Sequence, residues 1–323
     1  MAEQLVYAGI DIGATNIKYG LVDNAGKVLF REQRPTVAEK GADALLHLVT
    51  NIGERLLLFA AEDELEVRWV GIGTPGGVDA KTGRVIGPCP NIAGWEGIEI
   101  GPHLSDRLNL EVYIENDVNA MALAESKFGS AIGYNSVVCV AVGTGVGGGL
   151  IFNGQLWRGA SSTAGEIGHM SINFDGPVCH EENRGCVESY CCSAAIIART
   201  RNKLKNNMTE AFTEILNGDP DNLNIKKLFM AAKKGDPVAA EVIEETADYL
   251  AIGLAGIVNL LNPEIVVIGG GVADGGAGFV EAVSAGIRKR AFAPATANLR
   301  VSRATLGNDA GFIGAAILGE LPR

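Results

Sequence analysis

The chain has 323 residues, enough for two domains, and a formal net charge of −11. Lys and Arg form no run longer than the three residues 288–290, which argues against a nucleic-acid-binding surface. Six cysteines are too few for a disulfide scaffold at this length, and we recognise no signal peptide and no uninterrupted apolar run of about 18 residues. We therefore expect a cytoplasmic protein that binds neither membranes nor nucleic acid.

Apolar runs and glycine-rich turns predict two copies of one α/β arrangement. The order strand, strand, strand, helix, strand, helix occurs twice, which predicts two mixed sheets with helices on their faces. The polar segment 203–234 is predicted to be a surface insertion. Strands are predicted at 6–11, 17–22, 27–31, 67–73, 110–114, 136–142, 148–152, 265–268 and 299–301, and helices at 42–61, 117–127, 188–201, 239–261, 276–290 and 310–318.

Two glycine-rich turns follow apolar strands in similar contexts. Residues 7–18 read YAGIDIGATNIK, and residues 138–150 read VCVAVGTGVGGGL. Glycine allows a sharp turn and a close approach of the backbone, so that amide N–H groups can face an anion. The pair predicts a duplicated fold that holds the phosphates of a nucleotide.

Asp117 follows a predicted strand and begins a predicted helix. A carboxylate beside a helix N-terminus is stabilised in its ionised form. It can then accept the proton of a hydroxyl that attacks phosphorus. The alternative from the local pattern is that Asp117 only caps the helix.

Several motifs together resemble the ROK family, which comprises sugar kinases and related repressors of the actin-like ATPase superfamily. The signature-like segments are LWRGA at 156–160, AGEIGH at 164–169 and NRGCVESY at 183–190. DIGATN, PGGVD, NIAGW, END and GTGVGGG match in the expected order at 11–16, 75–79, 91–95, 115–117 and 143–149, so the resemblance covers almost the whole chain.

This resemblance implies a duplicated ribonuclease-H-like, actin-like ATPase fold of class α/β, with two lobes and an interlobe cleft. The small N-terminal lobe would comprise 1–116, and a C-terminal helix at about 306–323 would pack back on it. The large lobe would comprise 117–305 and carry an insertion with the sugar site and a possible zinc site.

The resemblance also implies residue roles. Asp117 would be the general base, and Asp11 would orient Mg²⁺ directly or through water. Residues implied to contact the sugar are Gly76, Gly77, Asn91, Asn116, Glu166, His169 and Glu188. Residues implied to contact the nucleotide are Asp11, Gly13, Thr15, Asn16, Lys18, Thr144, Gly145, Gly269, Gly270 and Gly271. Taken singly, Glu166 reads as a surface carboxylate and His169 as a core histidine, but their joint spacing favours the sugar site.

Family members often carry a structural zinc bound by one His and three Cys. Here His169, Cys179 and Cys186 match that pattern, whereas Glu181 replaces the middle cysteine. Zinc accepts a carboxylate ligand, and His180 is a further candidate. The alternative is a loop without metal, held by hydrogen bonds.

We thus expect ATP-dependent phosphorylation of a hexose at its 6-hydroxyl, with glucose as the first candidate, in a homodimer. N-acetylmannosamine or N-acetylglucosamine kinase activity is the nearest alternative, followed by fructose, allose and a polyphosphate donor. A sugar-sensing ROK regulator would carry an N-terminal helix-turn-helix domain, which we do not expect because the first strand begins near residue 6. A filament-forming actin-like protein is disfavoured by the sugar-site residues.

Overall fold

The computed structural model describes residues 4–87, 89, 92–179, 182–205 and 208–321. The chain divides into two compact units. The first contains the chain up to Asn135, Gly149–Gly165 and the chain from Thr305, and the second contains Ser136–Gly148 and Glu166–Ala304. This division differs from the predicted boundary at 116/117, because the helix that begins at Asp117 packs within the first unit.

The first unit contains a five-stranded sheet. Its strands follow the order β3-β2-β1-β4-β7, with antiparallel β1–β2 and β2–β3 pairs and parallel β1–β4 and β4–β7 pairs. The elements are β1 (Gln4–Ile12), β2 (Asn16–Val22), β3 (Val28–Pro35), α1 (Ala42–Glu62), β4 (Leu65–Thr74), β5 (Val78–Asp79), β6 (Arg84–Val85), α2 (Ile100–Leu108), β7 (Val112–Asn116) and α3 (Asp117–Phe128). A further helix, α11 (Ala310–Ala316), follows the second unit in the chain and packs on β1, β4 and α3.

The two faces of this sheet differ because side chains alternate along a strand. On one face, Ile10 and Ile72 pack with Leu45 and Ile52 of α1 in the buried core. The other face carries glycines where α11 approaches. A Cβ at Gly9 would lie 1.9 Å from the carbonyl oxygen of Phe312 in α11, so that helix contacts the strand backbone directly.

The second unit is built around a sheet of the same strand order. This sheet has the order β10-β9-β8-β11-β12, and β11 pairs in parallel with β8 and β12. The elements are β8 (Val137–Val142), β9 (Val146–Phe152), β10 (Gln155–Leu156), α4 (Val187–Cys191), α5 (Ser193–Leu204), α6 (Glu210–Leu216), α7 (Ile225–Lys233), α8 (Pro237–Leu261), β11 (Ile265–Gly269), α9 (Ala277–Arg290), α10 (Ala293–Thr296) and β12 (Arg300–Arg303). The end of β9 and all of β10 belong to the first unit.

Two predictions of secondary structure are corrected. The helix predicted at 188–201 is two helices, α4 and α5, separated by Cys192 in an extended conformation. The break allows Ser193 to donate from its backbone N and its Oγ to the carbonyl of Gly143, at 2.8 Å each. The segment 203–234 is more than a surface insertion, because α6 and α7 are amphipathic and bury Phe212 and Leu228.

Within the part of the chain that the structure describes, one helix, α1, has the length and composition of a membrane span. Long core helices pass the same test, and Leu45, Val49, Ile52 and Leu56 of α1 are buried in the first core. We therefore interpret α1 as a core helix of the first unit.

Candidate active site

Two aspartates lie at the carboxyl ends of parallel strands in the first unit. Asp11 is near the end of β1, and Asp117 directly follows β7, with β4 between the two strands. Asp11 is in register with Gly73 of β4. A Cβ at position 73 would lie 3.7 Å from Asp11 Oδ1 and 3.5 Å from Asp117 Cα, so glycine keeps the space between the aspartates open.

The charge state of Asp11 follows from this placement. Burial first, and the neighbouring charge of Asp117 second, raise the pKa of Asp11 to about 7, against the lowering effect of Lys18. A cation bound beside two nearby carboxylates favours the ionised form of both, because it offsets their repulsion. Carboxylate oxygen is the ligand that Mg²⁺ prefers, so this donor set fits the predicted magnesium site.

The N-terminus of α3 is capped by Asn116. Its Oδ1 accepts hydrogen bonds from the backbone N of Val118 at 2.9 Å and of Asn119 at 3.2 Å, and its Nδ2 donates to the carbonyl of Gly76 at 3.2 Å. Asp117 is the first residue inside the helix, and its Oδ1 also accepts from Val118 N. Because Asn116 performs the capping, Asp117 is not required for it. The sugar contact predicted for Asn116 stays a prediction.

Glu115 stabilises the same helix N-terminus. The sequence analysis assigned no role to this residue. Its carboxylate is buried and accepts from Arg158 Nε at 2.6 Å, Asn116 N at 2.9 Å and Asn119 Nδ2 at 3.0 Å. The ion pair with Arg158 offsets the cost of burying the charge. The sequence feature that could have indicated this role is an acidic residue within a strand that is otherwise mostly apolar.

The first turn predicted to bind phosphate, at residues 13–16, is a tight turn between β1 and β2. Gly13 N donates to Asn16 O at 3.1 Å, and Thr36 Oγ1 donates to Gly13 O at 2.7 Å. Thr15 is exposed at the tip. Lys18 donates from Nζ to Asn308 Oδ1 at 3.3 Å. These residues therefore lie together beside Asp11, although their nucleotide contacts remain predictions.

The Gly76–Gly77 turn lies beside Asn116. Gly76 has a left-handed backbone with φ of 89°, which favours glycine, and Gly77 O accepts from Ile86 N at 2.8 Å. Asn91, the further residue predicted to bind sugar here, lies outside the described residues.

In the second unit, Glu188 contacts the second turn predicted to bind phosphate, at residues 143–146. Gly143 N donates to Gly145 O at 2.9 Å, which closes the turn around Thr144. Glu188 Oε2 accepts from Val146 N at 2.8 Å. A Cβ at position 145 would lie 2.6 Å from the same oxygen, so glycine lets the Glu188 carboxylate approach this turn closely.

Glu166 and His169 lie next to the same loop. Gly168, between them, approaches Val146 so closely that a Cβ would lie 2.1 Å from its carbonyl oxygen. Glu166 Oε2 and His169 Nε2 are 3.8 Å apart, and both side chains are about half exposed. Three residues predicted to bind sugar, Glu166, His169 and Glu188, thus converge on the loop predicted to bind phosphate. His169 is therefore not a core histidine.

The glycines at 269–271 follow the buried strand β11. Gly270 has φ of 87°, and a Cβ there would lie 2.4 Å from Val142 O at the end of β8. Val272 N donates to that same oxygen at 3.1 Å. This packing places the triple glycine beside the second turn predicted to bind phosphate, which begins at Gly143.

Three candidate zinc ligands also converge in the second unit. The ligand atoms of His169, Cys179 and Cys186 lie within 4.8 Å of one another. Tetrahedral zinc with bonds of about 2.3 Å to sulfur separates its ligands by about 3.8 Å, so these three residues fit zinc. His169 presents Nδ1 to Cys179 Sγ at 4.0 Å and Nε2 to Glu166. Glu181 and His180, the candidates for a fourth ligand, lie outside the described residues.

The predicted site residues therefore fall into two groups. The group in the second unit is Thr144, Gly145, Glu166, His169, Cys179, Cys186, Glu188, Gly269, Gly270 and Gly271. The group in the first unit is Asp11, Gly13, Thr15, Asn16, Lys18, Gly76, Gly77, Asn116 and Asp117.

Two five-stranded sheets of equal strand order, each with helices on its faces, define the actin-like ATPase fold, which the solved ROK glucokinases share. The model of the ROK family matches residues 7–320. The chain belongs to the ROK family, which confirms the predicted fold class and family.

Individual relatives include kinases and repressors. The glucokinase of Thermotoga maritima is 34% identical over 273 residues, which cover 84% of each chain. The xylose repressor of Caldicellulosiruptor bescii is 31% identical over 306 residues, which cover 95% of this chain and 76% of the repressor. A solved ROK glucokinase from Streptomyces griseus, in complex with glucose and AMPPNP, is 32% identical with a TM-score of 0.86 and covers 97% of this chain and 98% of its own.

Proposed function

We propose that this protein is an ATP-dependent hexose kinase that phosphorylates glucose at the 6-hydroxyl. The observation that carries the proposal is the pair of carboxylates at strand ends, Asp11 and Asp117, with the pKa of Asp11 raised to about 7. Such a pair suits a reaction that needs both a metal-binding carboxylate and a base. Similarity to the glucokinases of Thermotoga maritima and Streptomyces griseus supports it.

In this proposal Asp117 is the general base. As the 6-oxygen of glucose forms a bond to the γ-phosphorus, the bond between that phosphorus and the bridging oxygen of ATP breaks, and ADP leaves. The hydroxyl proton passes to the Asp117 carboxylate. The positive charge of Lys18 would stabilise the negative charge of the nearby phosphates.

The sugar and nucleotide contacts follow the two groups of residues. Glu166, His169 and Glu188 would hydrogen-bond to the sugar hydroxyls, with Asn116, Asn91 and the Gly76–Gly77 backbone as further partners. The glycine turns at 13–16 and 143–145 would present amide groups to phosphate oxygens, and Gly269–Gly271 would lie by the adenosine.

Two metal ions are part of the proposal. Mg²⁺ neutralises phosphate charge when bound, and Asp11 would hold it directly or through water. A structural Zn²⁺ would be held by His169, Cys179 and Cys186, with Glu181 as the fourth ligand. We also propose that the protein is cytoplasmic and that it forms a homodimer. Analytical ultracentrifugation tests the homodimer.

A coupled assay with ATP tests the proposal directly. The panel comprises glucose, fructose, allose, N-acetylmannosamine and N-acetylglucosamine, and we expect the highest kcat/KM for glucose. Higher kcat/KM for an N-acetylhexosamine would replace the substrate but keep the reaction class. No ATP-dependent turnover of any hexose would contradict the proposal.

The similarity to a xylose repressor supports one alternative, a sugar-sensing regulator without kinase activity. A regulator of this kind should be stabilised thermally by a sugar of the panel but should form no ADP. Xylose is therefore included in the binding measurements.

A further inference from the structure

Gly311, the second residue of α11, lies against the carboxylate of Asp11. A Cβ at position 311 would be 2.4 Å from both Cγ and Oδ2 of Asp11, and 2.9 Å from Oδ1. The backbone at Gly311 does not have a positive φ, so the helix itself accepts any L-residue there. The carboxylate of Asp11 is thus the group that requires glycine at this position.

α11 has little freedom to move away from Asp11. A Cβ at Gly71 of β4 would lie 1.7 Å from Ala315 O of α11, so that strand and the helix touch backbone to backbone. On another side, a Cβ at Gly314 of α11 would lie 1.7 Å from Ala120 O of α3. A side chain at 311 must therefore displace the Asp11 carboxylate rather than the helix, because rotation about two side-chain bonds is easier than moving a packed backbone.

We propose that Gly311 is a positioning residue, whose missing side chain lets the Asp11 carboxylate occupy the place beside Gly73 where it faces Asp117. Its effect on catalysis rests on the proposed function, since Asp11 matters there as the carboxylate that holds Mg²⁺. The contact between Gly311 and Asp11 is independent of that function and can be tested without substrate.

The first test is a double-mutant cycle on thermal stability, with the variants Gly311→Ala, Asp11→Ala and the double variant. Asp11→Ala removes all three atoms that a Cβ at 311 would meet. Alanine is the better helix former, so Gly311→Ala is expected to raise Tm in the Asp11→Ala background. In the wild-type background the clash opposes this gain, so the two changes in Tm should differ. Equal changes in both backgrounds would overturn the proposal, even if Gly311→Ala alone folds poorly.

The second test measures the metal dependence of the variant enzyme. A misplaced carboxylate should raise the Mg²⁺ concentration for half-maximal activity and lower kcat by about 10²-fold, while the KM for the sugar changes little. The Mg²⁺-dependent rise of Tm with AMPPNP should weaken in parallel, which gives a readout besides activity. Wild-type Mg²⁺ dependence and kcat in the Gly311→Ala variant would also overturn the proposal.

Two other glycine-to-alanine changes are matched controls. Gly256 of α8 has space for a Cβ, whose nearest neighbour would be Met170 Cε at 3.8 Å, so Gly256→Ala should leave activity and Mg²⁺ dependence unchanged. Gly314→Ala meets backbone and should lower Tm in either Asp11 background. If the wild-type protein phosphorylates no hexose, the proposed function fails, but the stability cycle still decides whether Gly311 positions Asp11.

Discussion

At the scale of single residues, the carboxylate of Asp11 lies close to that of Asp117, whose charge disfavours the ionised form of Asp11. Asp11 is half-buried and near a second carboxylate, and its pKa is raised to about 7. A protein selected for stability alone would not keep two acids here, because burial and the charge of Asp117 disfavour the ionised form of Asp11. The arrangement becomes favourable when a divalent cation binds, which is the condition that phosphoryl transfer supplies.

Asp117→Asn should fold and lose about 10²- to 10⁴-fold in kcat, because the amide cannot accept the hydroxyl proton. Asn116 continues to cap α3, so Tm should stay close to that of the wild-type protein. A coupled assay and a thermal melt check both expectations. Asp221→Asn, at a carboxylate that is 88% exposed, is the control. A fully active Asp117→Asn variant removes the assignment of Asp117 as the base.

Asp11→Asn should stabilise the metal-free protein at pH 8. The folded pKa of Asp11 is about 7 and its ordinary value is 3.8, so ionisation costs the folded state stability as the pH rises from about 4 to 7. At about 1.4 kcal/mol per pKa unit, that cost reaches roughly 4 kcal/mol above pH 7. Below about pH 4 both states are protonated and the gain from Asn should vanish.

Urea unfolding in EDTA at pH 4 and pH 8 measures this difference, with exposed Asp175→Asn as the control. Added Mg²⁺ should raise the free energy of unfolding of the wild-type protein more than that of Asp11→Asn. A variant that is less stable than the wild-type protein at pH 8 would show that the buried charge is compensated within the chain.

At the scale of elements, β7 and α3 carry Asn116 and Asp117 of the candidate site. Glu125, near the end of α3, is buried and accepts from the backbone N of Ser130 at 2.7 Å, of Thr305 at 2.9 Å and of Leu306 at 2.8 Å. At the other end, Glu115 binds Arg158 and the first turn of α3. Buried carboxylates thus fasten both ends of the helix that begins with Asp117.

Arg158→Met should destabilise the protein by about 3 kcal/mol or more, because it leaves the buried charge of Glu115 without its cation. Arg31→Met is the matched control. It breaks an ion pair with Asp309 of the same 2.6 Å length, but Arg31 is 68% exposed, so the loss should be at most about 1 kcal/mol. Urea unfolding compares the two. Equal losses would mean that the Arg158–Glu115 pair acts as a surface pair.

The segment from His169 to Cys186 should contain zinc. Protein purified without chelators or an affinity tag should carry about one zinc per chain, and Cys186→Ser should lower the content and the Tm. Cys192→Ser, at a half-buried thiol outside the cluster, is the control. Comparing Glu181→Ala with His180→Ala identifies the fourth ligand. Less than about 0.2 zinc per wild-type chain would leave this loop held by hydrogen bonds alone.

At the scale of the whole molecule, the duplication was predictable because it depends on local signals. The strand runs around Asp11 and Thr144 and the turns that follow them repeat in composition and order, and the structure has equal strand order in the two sheets. The ROK resemblance added the predicted roles of the site residues, because its motifs cover most of the chain. The convergence of Glu166, His169 and Glu188 on one loop agrees with that pattern.

What could not be predicted depends on contacts between distant parts of the chain. Arg158 reaches Glu115 across 43 positions of sequence, and nothing local in either residue indicates the pair. The close contact between Gly311 and the Asp11 carboxylate depends on the placement of α11 on β1, which nothing local in the sequence indicates. The break at Cys192 is likewise accompanied by hydrogen bonds from Ser193 to Gly143, 50 positions away, which nothing local in the sequence indicates.

Thermal stabilisation of the protein by its ligands should distinguish the role of Glu166 from that of Glu188. A ligand that binds only the native state, at about 100 times its Kd, stabilises that state by about 2.7 kcal/mol. Glu166→Ala should lose the stabilisation by glucose and keep that by Mg²⁺-AMPPNP, because Glu166 is expected to contact only sugar. Glu188→Ala should weaken both, since Glu188 also accepts a hydrogen bond from Val146 N at the second turn predicted to bind phosphate. Thermal melts with each ligand measure the four shifts, and a Glu188→Ala variant with an unchanged AMPPNP shift would show that this loop keeps its shape without Glu188.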